Sequence, residues 1–362
     1  MTKLSEPKPR IIRRHVDGVL LLDKPAGLSS TQAMAAAKRL FRAEKAGHTG
    51  TLDPFATGLL PVCFGEAAKF SRFLLDAEKS YRATLKLGEV SQTGDTEGDI
   101  IRARDVAVTR AQIDEVLKTF LGPQSQTPPM HSAVKQAGVP LYKLARQGLE
   151  VPRTPRQITI FTISPVSLNG VEMVIDTKVS KGTYIRVLAE DIGEALGCGA
   201  HLTALRRTTS GGVDIARAVS LDALAAMTEA ERDAILLPAQ SLCADLPTMV
   251  LSDEDTRIFC NGGWISAQPG DTHASTPFAI YDGGSRFLGV GEVVVSEATH
   301  GKPRLIPMRL MATGATASQL TLHPDSVAEI DVFSTNSRYN FGLASRDAPK
   351  AAIACDKAFE MT

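Results

Sequence analysis

Between two apolar segments the chain runs Gly47-His48-Thr49-Gly50-Thr51-Leu52-Asp53-Pro54-Phe55-Ala56-Thr57-Gly58. Glycines, threonines and a proline at this density break both helix and strand, so the backbone must turn here and tie its flanking segments to one loop. Glycine supplies left-handed backbone, and threonine hydroxyls satisfy local donors. The loop is therefore expected to be rigid, with Asp53 held in place on it. Taken alone, the string also reads as a surface turn with an aspartate cap.

The flanking patterns predict an α+β chain. Val19 to Leu22 reads as a buried strand, followed by a turn at Asp23-Lys24-Pro25-Ala26-Gly27. A helix follows, capped by Ser29 or Ser30, with Ala33, Ala37, Leu40 and Phe41 at helical spacing and Gly47 available to close it. Leu59 to Phe64 is expected as a strand and Glu66 to Leu75 as a helix. Tyr81, Ala83, Leu85 and Leu87 alternate with polar residues, which marks a half-buried strand. Thr109 can cap a helix bearing Ile113, Val116, Leu117 and Phe120. Strands are expected near 157–167 and 171–180, and a helix from Ile185 to Leu196 ended by Gly197.

These elements imply a mixed or antiparallel sheet flanked by helices. The proline-rich stretch 123–153, with a short basic helix near Leu141 to Gly148, reads as an excursion from that sheet. The boundaries expected are a basic segment over 1–16, a main domain over 17–240, a small β-barrel over 247–312 and a loose tail over 313–362.

Composition narrows the function. Lys plus Arg and Asp plus Glu both number 40, so the chain has no net charge. Residues 1–240 nevertheless hold 31 basic against 26 acidic side chains, and residues 241–362 hold 9 against 14. The surplus is a weak pointer to nucleic acid. No run approaches the roughly 18 apolar residues of a membrane span, and the N-terminus lacks the apolar core of a signal peptide, so a cytoplasmic location is expected. The five cysteines are scattered, without a C-x-x-C pair, and are read as reduced thiols. Neither a Walker A loop nor a G-x-G-x-x-G after a strand is present, so no nucleotide cofactor is expected.

A carboxylate in such a loop can be a nucleophile, a general base, a metal ligand or a cap. No His or acidic residue stands at ligand spacing, which argues against metal. An ionised Asp in a partly dry pocket calls for a paired cation. Arg186, opening a helix after Lys181-Gly182-Thr183-Tyr184-Ile185, is the candidate, with a surface helix arginine as the alternative.

Gly47 to Pro61, read with Leu22-Asp23-Lys24-Pro25 and Lys181 to Arg186, resembles the bacterial tRNA pseudouridine-55 synthases, the TruB family. The resemblance extends to Lys79-Ser80-Tyr81, Gly94-Asp95-Thr96-Glu97-Gly98-Asp99, Gln126 through Lys135, and Leu205 to Gly211, all in the family's order. It implies isomerisation of one uridine in the T arm of tRNA without a cofactor, and nothing in the sequence requires more than a monomer or an obligatory protein partner.

Asp53 matches the family's catalytic aspartate. It would act at the sugar's anomeric carbon or by proton abstraction through a glycal, and both routes stay open. Tyr81 would stack on the flipped base, with a core tyrosine as the alternative reading. His48 would prop the opened T loop, Arg186 would pair with Asp53, and Tyr184 and Leu205 would line the uracil pocket. Lys24 would brace the loop. Asp95 would lie near bound RNA or cap a turn, and Lys135, Lys143 and Arg146 in the insertion would meet phosphates. Residues 247–312 resemble a PUA-like module. A tRNA-folding chaperone that opens the elbow is the alternative function, and an aspartyl-phosphate enzyme is a third that lacks a second acidic motif for magnesium.

Overall fold

Capping and strand alternation account for most of the first 120 residues in the computed structural model, which describes residues 12–267, 276–295 and 302–312. Residues 1–11 of the basic segment and the expected tail 313–362 lie outside the described residues. Among the described residues no helix is long and apolar enough to cross a membrane.

Strand β1 (Gly18–Lys24) leads into α1 (Ser30–Leu40), whose Ser29 and Gln32 form a reciprocal capping box. The helix does not run on to Gly47 as expected. Arg42 takes φ 52°, and the amides of Arg42 and Ala43 turn back onto the carbonyls of Arg39 and Lys38, which ends the helix on an arginine. Gly47 is thereby released into β2 (Ala46–His48), which pairs with β3 (Thr57–Phe64).

The helix expected at 66–75 is divided into a 3-10 turn over Gly65–Phe70 and a short α2 (Ser71–Leu75). Then come β4 (Lys79–Leu87), a hairpin of β5 (Glu89–Ser91) and β6 (Ile100–Ala103), and α3 (Arg110–Thr119) behind a second capping box at Thr109.

The excursion begins later than expected. Gly122–Gln126 forms β7, an edge strand of the main sheet, and only after it does the chain leave for the hairpin β8 (Lys135–Gln136) and β9 (Val139–Pro140) and helix α4 (Leu141–Ala145). It returns through β10 (Arg156–Asn169), β11 (Glu172–Val179), α5 (Ile185–Ala195) and β12 (Ala200–Ser210). Short β13 (Val213–Asp214) and β14 (Val219–Ser220) then precede α6 (Leu221–Ala226) and α7 (Glu229–Ala234).

The ten-stranded sheet runs β14-β1-β3-β12-β4-β11-β10-β7, with β13 on β12 and β2 on β3. It is mixed, because β1–β14 and β3–β12 are parallel and the other pairs antiparallel. Ile185, Leu188, Ala189 and Ile192 of α5 pack with Leu85, Met173, Ile175 and Leu202. Each large apolar side chain so buried contributes roughly 1.5–3 kcal/mol. This cluster also holds Leu52 and Ala56, so the loop carrying Asp53 is anchored in the same core as the helix carrying Arg186.

The C-terminal strands β15 (Thr248–Leu251), β16 (Ile265–Ser266), β17 (Pro277–Asp282), β18 (Phe287–Val294) and β19 (Arg304–Leu310) curl into a half-barrel ordered β15-β17-β18-β19-β16, with α8 (Asp253–Cys260) against it. It shares a second apolar cluster with β1 and β3, in which the Phe70 and Phe287 rings meet at 5.2 Å.

Candidate active site

The loop between β2 and β3 is held from below at three points. Lys24 Nζ, fully buried, donates to the carbonyls of Pro25 (2.8 Å), Leu28 (2.6 Å) and Pro54 (3.3 Å). The amide of Gly27 donates to the same Pro54 carbonyl at 2.8 Å. Buried Ser30, at the start of α1, both accepts from the Leu52 amide (2.7 Å) and donates to the Leu52 carbonyl (3.0 Å). The backbone on either side of Asp53 is thus fixed while its side chain faces outward. At the far end, Gly58 has φ 102° and lies so close to β12 that a Cβ would meet the Arg207 carbonyl at 2.4 Å, so no other residue fits.

Asp53 keeps 36% of its side-chain exposure, and its Oδ2 lies 3.0 Å from Arg186 Nε. Oδ1 accepts no hydrogen bond among the described residues, which leaves one carboxylate oxygen available to a ligand. Burial is the largest influence on this carboxyl and lifts it above the ordinary aspartate range, while Arg186 pulls it back.

Arg186 is 4% exposed and uses its whole fork. Nη1 lies 3.3 Å from Asp95 Oδ2 and donates to the Thr93 carbonyl at 3.0 Å, and Nη2 donates to the His131 carbonyl at 2.7 Å. One guanidinium therefore joins the Asp53 loop, the 93–95 turn and the excursion to α5.

Of the two expectations for Asp95, a place near RNA or a turn cap, its hydrogen bonds match the turn cap. At 1% exposure it accepts from Thr93 Oγ1 and the Glu97 amide and faces Arg186, so it contributes charge behind the site.

Tyr81 and Leu205 pack with the cluster that contains Leu52, Ala56 and Ile185, beside the Asp53 loop. Tyr184 caps α5, and its amide and carbonyl are both bound by the Gln126 side chain, at 2.8 and 3.1 Å. His48 stands in β2 with a buried Nδ1 that has no partner among the described residues; burial first, then the charge of Arg207, holds its imidazole below the usual range. Lys135, Lys143 and Arg146 are exposed on the excursion, with Arg146 stacked 5.6 Å from the Tyr142 ring. Among the described residues no group of three or more His, Cys, Asp or Glu is arranged to hold a metal.

Four participants escaped the sequence reading. Thr93 and His131 act through backbone carbonyls, which no side-chain pattern signals. Gln126 lies in a quoted segment, but only the edge position of β7 brings it to Tyr184. Glu190 stands one turn beyond Arg186, and the i, i+4 spacing on an amphipathic helix could have found it.

Burial above all, then the charge of Asp191, pushes Glu190 up to about 7. A carboxyl whose value is higher in the fold than the ordinary 4.5 binds its proton more tightly when folded. Its contribution to stability is complete below about pH 4.5 and is lost as pH rises through about 7. Glu190→Gln is therefore expected to remove on the order of 1 kcal/mol of the stability that wild type loses between about pH 6 and about pH 8. Urea midpoints across that range check this, and an unchanged pH slope would refute it.

Comparison with known proteins covers both halves of this site. The model for the N-terminal domain of TruB family pseudouridylate synthases matches residues 38–185, and that for the C-terminal domain of tRNA pseudouridylate synthase B matches residues 186–244. The division falls within α5, so Asp53 comes from the first match and Arg186 from the second. The tRNA pseudouridine synthase B of Chromobacterium violaceum is 49% identical across 86% of this chain and 99% of its own length. That of Neisseria meningitidis serogroup B is 48% identical across 87% and 100%. Among solved structures, a Cbf5-Nop10-Gar1 complex contains a chain 28% identical, with a TM-score of 0.63 over 82% of this chain and 84% of that one.

Proposed function

The chain belongs to the TruB family of pseudouridylate synthases, and from that membership we propose that it isomerises uridine 55 in the T arm of tRNA to pseudouridine, with Asp53 as the attacking group. The observation that carries the reading is the Asp53–Arg186 pair, a partly exposed carboxylate whose counter-charge is buried behind it and whose second oxygen is open. A carboxylate in this state can attack or deprotonate the ribose of a nucleotide turned out of the RNA, and can leave again.

The isomerisation is balanced without a co-reactant. The bond from the sugar to N1 of uracil breaks, a bond to C5 forms, C5 loses a proton and N1 gains one. Tyr81, Tyr184 and Leu205 supply the apolar and aromatic walls against which an extruded uracil would lie. Lys135, Lys143 and Arg146 supply cations for RNA phosphates, and the enzyme acts as a monomer in the cytoplasm.

Mapping pseudouridine in a tRNA incubated with the purified protein tests the reading. The expected product is one new pseudouridine, in the T arm at position 55, and none in a transcript with cytidine there. Modification elsewhere, or none, would overturn it.

A further inference from the structure

Arg207 is 1% exposed in the middle of β12, yet among the described residues it has no carboxylate within ion-pairing distance. A buried cation ordinarily stands opposite an acid, because its desolvation is otherwise uncompensated. Here the guanidinium turns to two main-chain oxygens: Nε donates to the Leu59 carbonyl at 2.7 Å and Nη2 to the Gly50 carbonyl at 3.1 Å. Those carbonyls bracket the segment Thr51 to Gly58 that carries Asp53. Gly50 has φ 83°, and a Cβ on it would stand 3.3 Å from Arg207 Nη1. Lys24, Lys79 and His48 also stand within reach of this charge, and burial first, with Arg207 after it, disfavours their protonated forms.

We propose that Arg207 is a positioning residue of the reaction, one that sets the width of the catalytic loop by gripping the carbonyls at its two ends. Lys24, Gly27 and Ser30 fix the height of the loop from below; Arg207 fixes the separation of its ends from behind. A core that needed only filling would be served by an apolar side chain of similar length, and replacing a buried charge in that way is often neutral or stabilising.

Arg207→Met separates these possibilities. It is expected to fold, to melt within about 4 °C of wild type, and to bind tRNA within about threefold, because phosphate contacts dominate affinity. Single-turnover kcat should fall by about 30-fold or more, as a displaced reacting group requires. A folded variant with wild-type kcat would overturn the proposal, and so would parallel losses of kcat, affinity and melting temperature.

Gly50→Ala retains the arginine but strains the left-handed backbone at the loop end it grips and crowds Nη1, so it should lower kcat without loss of tRNA affinity, whether or not Arg207→Met folds. Where both fold, the double variant should lose no more than the worse single one, and additive losses would overturn the proposal. The inference rests on Asp53 as the reacting group. An active Asp53→Asn would remove that reading, whereas an inactive Asp53→Asn beside a fully active Arg207→Met and Gly50→Ala would remove only the role of Arg207.

Discussion

Asp53→Asn is expected to lower isomerisation by at least about ten-thousandfold while tRNA affinity stays within about tenfold. The amide has nearly the shape of the carboxylate and can still accept from Arg186 Nε, now 3.0 Å from Oδ2. Asp95 continues to balance the buried guanidinium at 3.3 Å. What disappears is the negative charge on a carboxylate whose second oxygen is free, so the loss belongs to chemistry and not to folding. Pseudouridine mapping beside a binding isotherm measures both halves, and undiminished turnover would sink the mechanism. The same variant separates catalysis from an RNA-folding role, since a chaperone would go on refolding tRNA without the carboxylate. In wild type the acid limb of kcat should lie above the ordinary aspartate value of 3.8, because burial lifts the Asp53 carboxyl. Rate should fall as pH drops through that raised value.

The Asp53 loop was legible because its signals are local. Glycine, threonine and proline at fixed spacing specify a turn wherever they occur, and the capping boxes at Ser29 and Thr109 likewise need only four consecutive residues. Chemistry asked for a cation beside Asp53 and made Arg186 a candidate, and the family resemblance chose it over the reading as a surface helix arginine. Family resemblance supplied the rest of the site.

What stayed hidden depends on distant chain. The segment Gly94-Asp95-Thr96-Glu97-Gly98-Asp99 has the composition of an exposed turn, and only the reach of Arg186 from α5 buries Asp95. β12 has no clean alternation, since Arg206 and Arg207 interrupt it. One is answered by Asp23 at 2.7 Å and the other by carbonyls of the loop and β3, so charged residues stand in a central strand that composition alone would have refused. β7 was missed for a related reason: Pro123 cannot donate to a ladder, yet an edge strand tolerates it.

Arg186→Ala is expected to produce the second-largest loss, on the order of a hundredfold to a thousandfold in kcat, together with about 3–5 kcal/mol of stability. The guanidinium is the shared partner of Asp53 and Asp95 and the donor to the Thr93 and His131 carbonyls, so its removal deprives both carboxylates of their shared ion-pair partner and removes the Arg186–His131 tie between α5 and the excursion. The surviving activity carries a signature that simple unfolding lacks. Arg186 pulls the Asp53 carboxyl down against burial, so without it Asp53 should ionise only at still higher pH, and the acid limb of kcat should move upward. Arg186→Lys keeps the charge but offers a point where the wild type offers a fork, so it should restore much of the pH profile while leaving the 93–95 turn and residue 131 poorly held. kcat measured across the acid range at a temperature where each variant is folded tests this. If the limb stayed at the wild-type position in Arg186→Ala, the field acting on Asp53 would have to come from elsewhere, and Lys24, buried below the same loop and pushed down to about 8 chiefly by that burial, would be the cation to examine.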